Sequence, residues 1–179
     1  KLEARGQIQL PPRRTASVNG LRNRPAGPID HDPSALEGPL PSLRPVRVEP
    51  VTENRSEARL CQFLLQRYHD LGHRHGVGEN LKHLARDREG RPLACLLFGS
   101  AAWKCAVRDQ FIGWTRQQRE QRLHLVVNNA RFLILPWVQS RHLASKVLAL
   151  TARRLPEDWQ NRYKYRPVLL ETFVEVQKF

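Results

Sequence analysis

The chain has 179 residues, of which 40% are hydrophobic and 26% are charged, a composition that is typical of a globular protein and excludes a wholly disordered one. No apolar run approaches the ~20 residues that a membrane-spanning helix needs, and three cysteines without a C-x-x-C pair argue against a disulfide framework. The 30 basic residues outnumber the 17 acidic ones, and the formal net charge of +13 favours a polyanionic partner.

The first 45 residues divide into two stretches. Residues 2–10 have the pattern of a helix end, a glycine stop and a short strand, and a basic turn follows. Residues 1–22 are therefore interpreted as the remnant of a winged-helix domain or, alternatively, as a frayed terminus. Residues 23–45 are rich in proline, which predicts an extended linker that buries no core.

Residues 46–179 are predicted to form one domain. Its first half contains a strand at residues 46–48, a helix capped by Thr52, Asn54 or Ser56, and hairpin strands at 81–85 and 93–98 around a turn at 87–90. Apolar side chains recur in this helix at the i, i+3, i+4 spacing, so one face should pack on a sheet.

The second half of the domain contains a short strand at residues 110–114, a helix after Thr115, a central strand at 131–138, a helix capped by Ser140 and a strand at 167–174. Thr115 and Gln118 have the spacing of a capping box. The nearly continuous apolar run of the central strand predicts burial on both faces, with the pairing broken at Pro136. Asn128 and Asn129 are expected to form a turn, with a polar site as the alternative.

This order of elements predicts an α/β fold with a mixed sheet flanked by helices. It follows the order of the Gcn5-related N-acetyltransferase fold, in which a central strand splays from its neighbour and the next helix holds a pyrophosphate. Element order supports a fold assignment and not a function.

Four segments resemble the DruA family of the Druantia anti-phage system, a domain family that is also associated with transposases. They are residues 90–114, 123–138, 142–145 and 169–175. The resemblance implies a role in phage defence or in handling mobile elements, and it implies no catalytic residue. Family members continue beyond this last strand, and the sequence contains no Met, so we expect a fragment that lacks both termini of a longer protein.

The start of the helix after Ser140 is a candidate phosphate site. Free backbone N–H groups and the helix dipole favour an anion there, and Ser140, Arg141, Ser145 and Lys146 lie near it in sequence. An acyl-CoA site needs glycines in this turn so that the backbone can approach the pyrophosphate, but Arg141, His142 and Leu143 occupy it. We therefore expect no cofactor, and a plain capped helix is the alternative.

Arginines also recur on the short helix that follows Thr115. Arg116, Arg119 and Arg122 are three residues apart, so they fall on one broad helix face that can follow a phosphate backbone. Tryptophans interleave with the basic residues in this region, as in proteins that stack bases and hold phosphates. The alternative is a solvated helix whose charges only keep the protein soluble.

Two further groups of ionisable residues are candidates for chemistry. Glu171 lies in an apolar strand, where partial desolvation suits a general base, unless it faces solvent or pairs with an arginine. His69, His73, His75 and His83 cluster in sequence, but no carboxylate or cysteine completes a metal site. We expect these histidines to be solvated or to face phosphate, and we expect no metal.

The resemblance to the DruA family implies a cytoplasmic component of anti-phage defence or transposase-like machinery. The basic charge predicts that it binds DNA or another nucleic acid through a basic surface, without sequence preference. Other defence-system or transposition proteins are the expected protein partners, and no membrane is involved. The alternative is an acyltransferase-type enzyme built on the Gcn5-related fold. The sequence does not decide between an enzyme and a binding protein.

Overall fold

The computed structural model describes residues 27–73 and 78–174. The strands are β1 (Leu36–Glu37), β2 (Arg47–Pro50), β3 (Asn80–Arg86), β4 (Pro92–Ser100), β5 (Val126–Ile134), β6 (Val138–Gln139) and β7 (Leu169–Thr172). The helices are α1 (Arg55–Tyr68), α2 (Ala106–Ile112), α3 (Arg116–Arg122) and α4 (Leu143–Tyr163), with 3₁₀ turns at Leu40–Leu43 and Leu123–Leu125. The winged-helix interpretation of residues 1–22 lies outside the described residues.

Five strands form one sheet in the order β2-β3-β4-β5-β7. The pairs from β2 to β5 are antiparallel, whereas β5 and β7 run parallel, so the sheet is mixed. His83 points from β3 to α4, while Cys95, on the opposite face, contacts Cys61 of α1. The predicted α/β class, with a mixed sheet flanked by helices, is therefore confirmed.

The central strand lies earlier in the chain than the sequence predicted. β5 begins at Val126, so Asn128 and Asn129 lie inside the strand and the predicted turn is wrong. Pro136 follows the strand, in the connection to β6, and most of β5 is half-buried rather than buried on both faces. β7 pairs only with Val126–Asn129, because it ends at Thr172. The second half of β5 therefore extends beyond its parallel neighbour.

The proline-rich segment contributes to the core. Leu36 and Leu43 are buried, and β1 pairs in parallel with β6. His31 Nε2 and the Tyr68 hydroxyl are hydrogen-bonded at 2.9 Å. The expectation that this segment would bury no core is wrong for residues 27–45, because an extended chain can lie along the domain and insert single leucines into it.

Local signals near α1, α2 and α3 had mixed outcomes. Asn54 caps α1, and Thr115 with Gln118 forms the predicted capping box of α3. The predicted strand at residues 110–114 is wrong: residues 110–112 complete α2, which Gly113 ends at a φ of 77°. Five residues are too few to separate a strand period from a helix period.

Within the described residues, none of the helices combines the length and the apolar composition needed to cross a membrane. The interior of the domain is filled by leucines of α1, β3 and β4 together with Phe98 and Trp159, which are fully buried.

Candidate functional site

Two short helices, α2 and α3, lie between β4 and β5 in the chain and are joined through Gly113. The left-handed conformation of Gly113 ends α2 and lets the chain turn into Thr115. The Thr115 hydroxyl then accepts a hydrogen bond from the Gln118 N–H, and the Gln118 side chain accepts one from the Thr115 N–H. Each helix has seven residues, so tertiary contacts must hold it in place.

A chain of ion pairs supplies those contacts. Arg108 Nη1 lies 3.3 Å from Glu171 Oε1 on β7, and Arg108 Nη2 lies 3.0 Å from Asp109 Oδ1. Asp109 Oδ2 in turn accepts a hydrogen bond at 3.0 Å from Arg119 Nη1 on α3. Burial alone would raise the pKa of Asp109, but the hydrogen bonds from Arg119 and Arg108 lower it. We call Glu171, Arg108, Asp109 and Arg119 the ion-pair chain.

The ion-pair chain ends at an open basic concavity. Its volume is about 400 Å³, and it is lined by Trp103, Lys104, Arg116, Arg119 and Glu120. The Arg119 guanidinium carbon lies 5.8 Å from the centroid of the Trp103 ring, a cation–π contact. Lys104 is exposed and has no ion-pair partner among the described residues. We call these five lining residues the Trp103 surface.

The three arginines predicted to act together have different environments. Arg119 is mostly buried and is held by Asp109, so it is not a free cation. Arg116 has 84% of its side chain exposed and pairs with Glu120 at 2.9 Å. Arg122 is exposed at the end of α3. Arg119 therefore differs from the other two arginines, because the Asp109 carboxylate on α2 already pairs with it. That these three arginines contact nucleic acid stays a prediction.

Glu171 has the arginine partner that the sequence left as an alternative. Its side chain is only 12% exposed, and Arg108 Nη1 is within 3.4 Å of both carboxylate oxygens. Asn128 is its register partner on β5, and the Asn128 Oδ1 atom is buried with no hydrogen-bond partner among the described residues. Glu171 positions α2 against the sheet; a role as a general base stays a prediction.

The residues predicted to hold phosphate lie at the start of α4, but they do not form the expected helix cap. Ser140 does not cap the helix: His142 occupies the N-cap position at a φ of 66°, and the buried Ser140 Oγ has no hydrogen-bond partner among the described residues. Arg141 and Ser145 are exposed, and Lys146 is half-buried. The capping prediction for Ser140 is wrong because the chain leaves β6 through a left-handed residue.

The two predicted phosphate sites flank β5 in the chain, one before its start and one after its end. α3 precedes the start of β5, and α4 begins after its end. β5 has nine residues, which at the usual rise of a strand separate its ends by about 30 Å. Glu171, which pairs with the first half of β5, belongs with the Trp103 surface.

A comparison with protein-family models finds a match over residues 26–178 to the family described as Druantia protein DruA. The chain belongs to the DruA family. Membership makes it a component of the Druantia anti-phage system, as the resemblance implied. The match includes residues 27–45, which pack on the domain, and it includes the whole ion-pair chain.

Other comparisons place this DruA-family chain less closely. No curated protein matches it. Among solved structures, it is similar to the aminoglycoside 6'-N-acetyltransferase AAC(6')-Ih from Acinetobacter baumannii, with 14% identity and a TM-score of 0.41. That alignment covers 74% of this chain and 83% of the acetyltransferase chain.

The DruA-family chain also contains a buried polar network that the sequence analysis missed. His83 Nε2 lies 2.8 Å from Asp158 Oδ2, and Arg154 Nε donates to the same oxygen at 2.7 Å. The His83 side chain is fully buried, and its desolvation lowers the pKa of the imidazole. Burial would raise the pKa of Asp158, but the hydrogen bonds from His83 and Arg154 lower it.

The histidines therefore divide. His83 is a core residue, so the expectation that it is solvated or faces phosphate is wrong. Its place in the strand between Leu81 and Ala85, in the alternating pattern of one sheet face, was the signal that could have shown this. His69 ends α1, and His75 lies outside the described residues. Among residues 27–73 and 78–174, no group of three potential metal ligands comes together.

Proposed function

We propose that this Druantia component contacts nucleic acid through the Trp103 surface. The observation that carries the proposal is the exposed indole of Trp103 beside two exposed cations, Lys104 and Arg116, in one concavity. Aromatic rings and cations together are the usual means by which proteins hold nucleic acid without reading its sequence. The net charge of +13 for the whole sequence adds a general attraction to a polyanion.

The cations of the Trp103 surface are available to phosphate to different degrees. Among the described residues, no carboxylate pairs with Lys104, so its ammonium group can bind phosphate directly. Arg116 pairs with Glu120, but both side chains are exposed, and such pairs contribute little in water. A phosphate can therefore replace Glu120 as the partner of Arg116. Arg119 stays with Asp109 and acts through the Trp103 ring.

The test is the salt dependence of DNA binding. The double variant Lys104→Ala with Arg116→Ala is expected to weaken binding and to lower the slope of log affinity against log salt by about two units, one for each phosphate that the protein no longer neutralises. Fluorescence anisotropy of a labelled oligonucleotide, measured over a series of salt concentrations, gives this slope.

A matched control removes the same charge elsewhere. Arg88 lies in the hairpin turn after β3, Arg153 lies on α4, and both are exposed. The double variant Arg88→Ala with Arg153→Ala should change the slope by less than half as much as the first double variant does. Equal slopes for the two double variants, or no binding by the native chain even at low salt, would contradict the proposal.

The acyltransferase alternative makes an opposite prediction. Arg141, His142 and Leu143 stand where α4 begins, and none is a glycine, so their side chains hinder close approach of the backbone to a pyrophosphate. We expect acetyl-CoA to show no measurable heat of binding in calorimetric titration. Saturable binding at micromolar concentration would favour the enzyme instead.

A further inference from the structure

The outward face of α2 is apolar and exposed. Phe111 is 85% exposed, Val107 is 79% exposed and Trp103, just before the helix, is 55% exposed. Val107 and Phe111 are four residues apart, so they share one helix face. A neighbouring side of α2 carries the buried Arg108, which fixes the helix to β7. Folding therefore holds Phe111 in solvent on a helix whose orientation is set from within, and it holds Trp103 in solvent just before that helix.

From this arrangement we infer that the Trp103 surface, together with the outward face of α2 that follows Trp103 in the chain, binds unpaired nucleotides and stacks their bases on the rings of Trp103 and Phe111. The inference rests on the proposed contact with nucleic acid and names its substrate class, single-stranded DNA or RNA. Each base presents a flat π face that stacks on an aromatic side chain whatever its sequence. In a duplex, neighbouring base pairs cover these faces, so exposed aromatic rings gain little from it.

The chemistry of the α2 face supports single strands over a duplex groove. Val107 and Phe111 carry no donor or acceptor, so they cannot bond to base edges or to phosphate. They can contact only the apolar faces of bases, which a single strand leaves open. The cations belong to other segments, Lys104 before α2 and Arg116 on α3, which separates an apolar stacking area from a phosphate-binding rim.

Arg119 restrains the ring of Trp103 through a cation–π contact. Asp109 holds its guanidinium, and the guanidinium lies 5.8 Å from the centroid of Trp103. This contact restrains the indole before any ligand arrives, while more than half of the residue stays exposed. A base stacked on Trp103 would bring its phosphates toward Lys104 and Arg116, which line the same concavity.

The charge of the rim also selects the kind of occupant. An apolar protein segment would gain from Val107 and Phe111 but would have to desolvate Lys104 and Arg116. A nucleic acid strand satisfies both parts at once. Glu120 is the one carboxylate that lines the Trp103 surface, and it is paired with Arg116.

The experiment is a competition assay with the full chain. A labelled single-stranded oligonucleotide is displaced by unlabelled single-stranded DNA, by RNA of the same sequence, or by the DNA duplex. At least one single strand should compete at about tenfold lower concentration than the duplex. Trp103→Ala and Phe111→Ala should each weaken single-strand binding by about five- to tenfold, with an unchanged salt slope, because both variants keep every cation that meets phosphate.

Two controls separate stacking from folding and from charge. Leu71→Ala removes another exposed apolar side chain and should leave affinity unchanged. Trp103→Phe keeps an aromatic ring and should recover most of the affinity that Trp103→Ala removes. If Lys104→Ala with Arg116→Ala weakens binding but the aromatic variants do not, or if duplex and single strands compete equally, the stacking inference is wrong and the nucleic-acid contact stands. If no nucleic acid binds at low salt, both are wrong.

Discussion

Replacing Arg108 with Met is expected to lower the free energy of unfolding by about 3 kcal/mol, because it removes one partner from a buried group of charges. The Arg108 side chain is 5% exposed, and it bonds to Glu171, to Asp109 and to the Ala102 carbonyl oxygen. Met fills a similar volume but leaves the Glu171 carboxylate without its partner at the sheet edge. Urea denaturation, with comparison of the midpoint and the slope, measures the change.

The same substitution on the surface provides the control. Arg116→Met removes a guanidinium whose side chain is 84% exposed, and it should change the free energy of unfolding by less than about 0.5 kcal/mol. Glu171→Gln keeps a hydrogen-bond acceptor for Arg108 and should fall between the two. An Arg108→Met protein as stable as the native chain would mean that α2 is held by other contacts.

The second large effect is a loss of stability in mild acid that depends on His83. Because the folded-state pKa of His83 lies below its ordinary value of 6.5, the unfolded chain binds more protons in this range. Stability contributed by the neutral imidazole is present above pH 6.5 and falls as the pH drops toward the folded-state pKa. Within that window the slope approaches about 1.4 kcal/mol per pH unit.

His83→Gln isolates this effect. Gln cannot titrate, but its amide can still donate to Asp158, so the variant should lose the pH dependence that begins near pH 6.5. The lowered pKa of Asp158 adds a separate loss only below its ordinary value of 3.8. Thermal midpoints measured from pH 8 to pH 5 for both proteins test the prediction. Parallel curves for the native chain and the variant would show that His83 takes no part.

The caps of two helices were predicted correctly, because the interacting groups lie within four residues in the chain. Thr115 and Gln118 meet because one helical turn brings them together, and Asn54 reaches the Glu57 N–H for the same reason. The turn that ends at Gly90, with a φ of 84°, likewise follows from local backbone preferences. The error at residues 110–114 arose because a helix of seven residues is stabilised by Arg108, which anchors it from inside, and not by its own pattern.

The amino-acid sequence by itself determined the α/β class, the positive charge and the membership of the DruA family. Only the tertiary structure decided which charges are free. Arg108 and Glu171 are 63 positions apart, and His83 and Asp158 are 75 apart, so their pairing depends on how β5 and β7 align and how α4 crosses the sheet. Local spacing treats Arg116 and Arg119 as equivalent. In the folded protein Arg119 is mostly buried and pairs with Asp109 on α2, whereas the Arg116 side chain stays in solvent. Burial and partners, which set the energy of a charge, are properties of the folded neighbourhood and not of the chain.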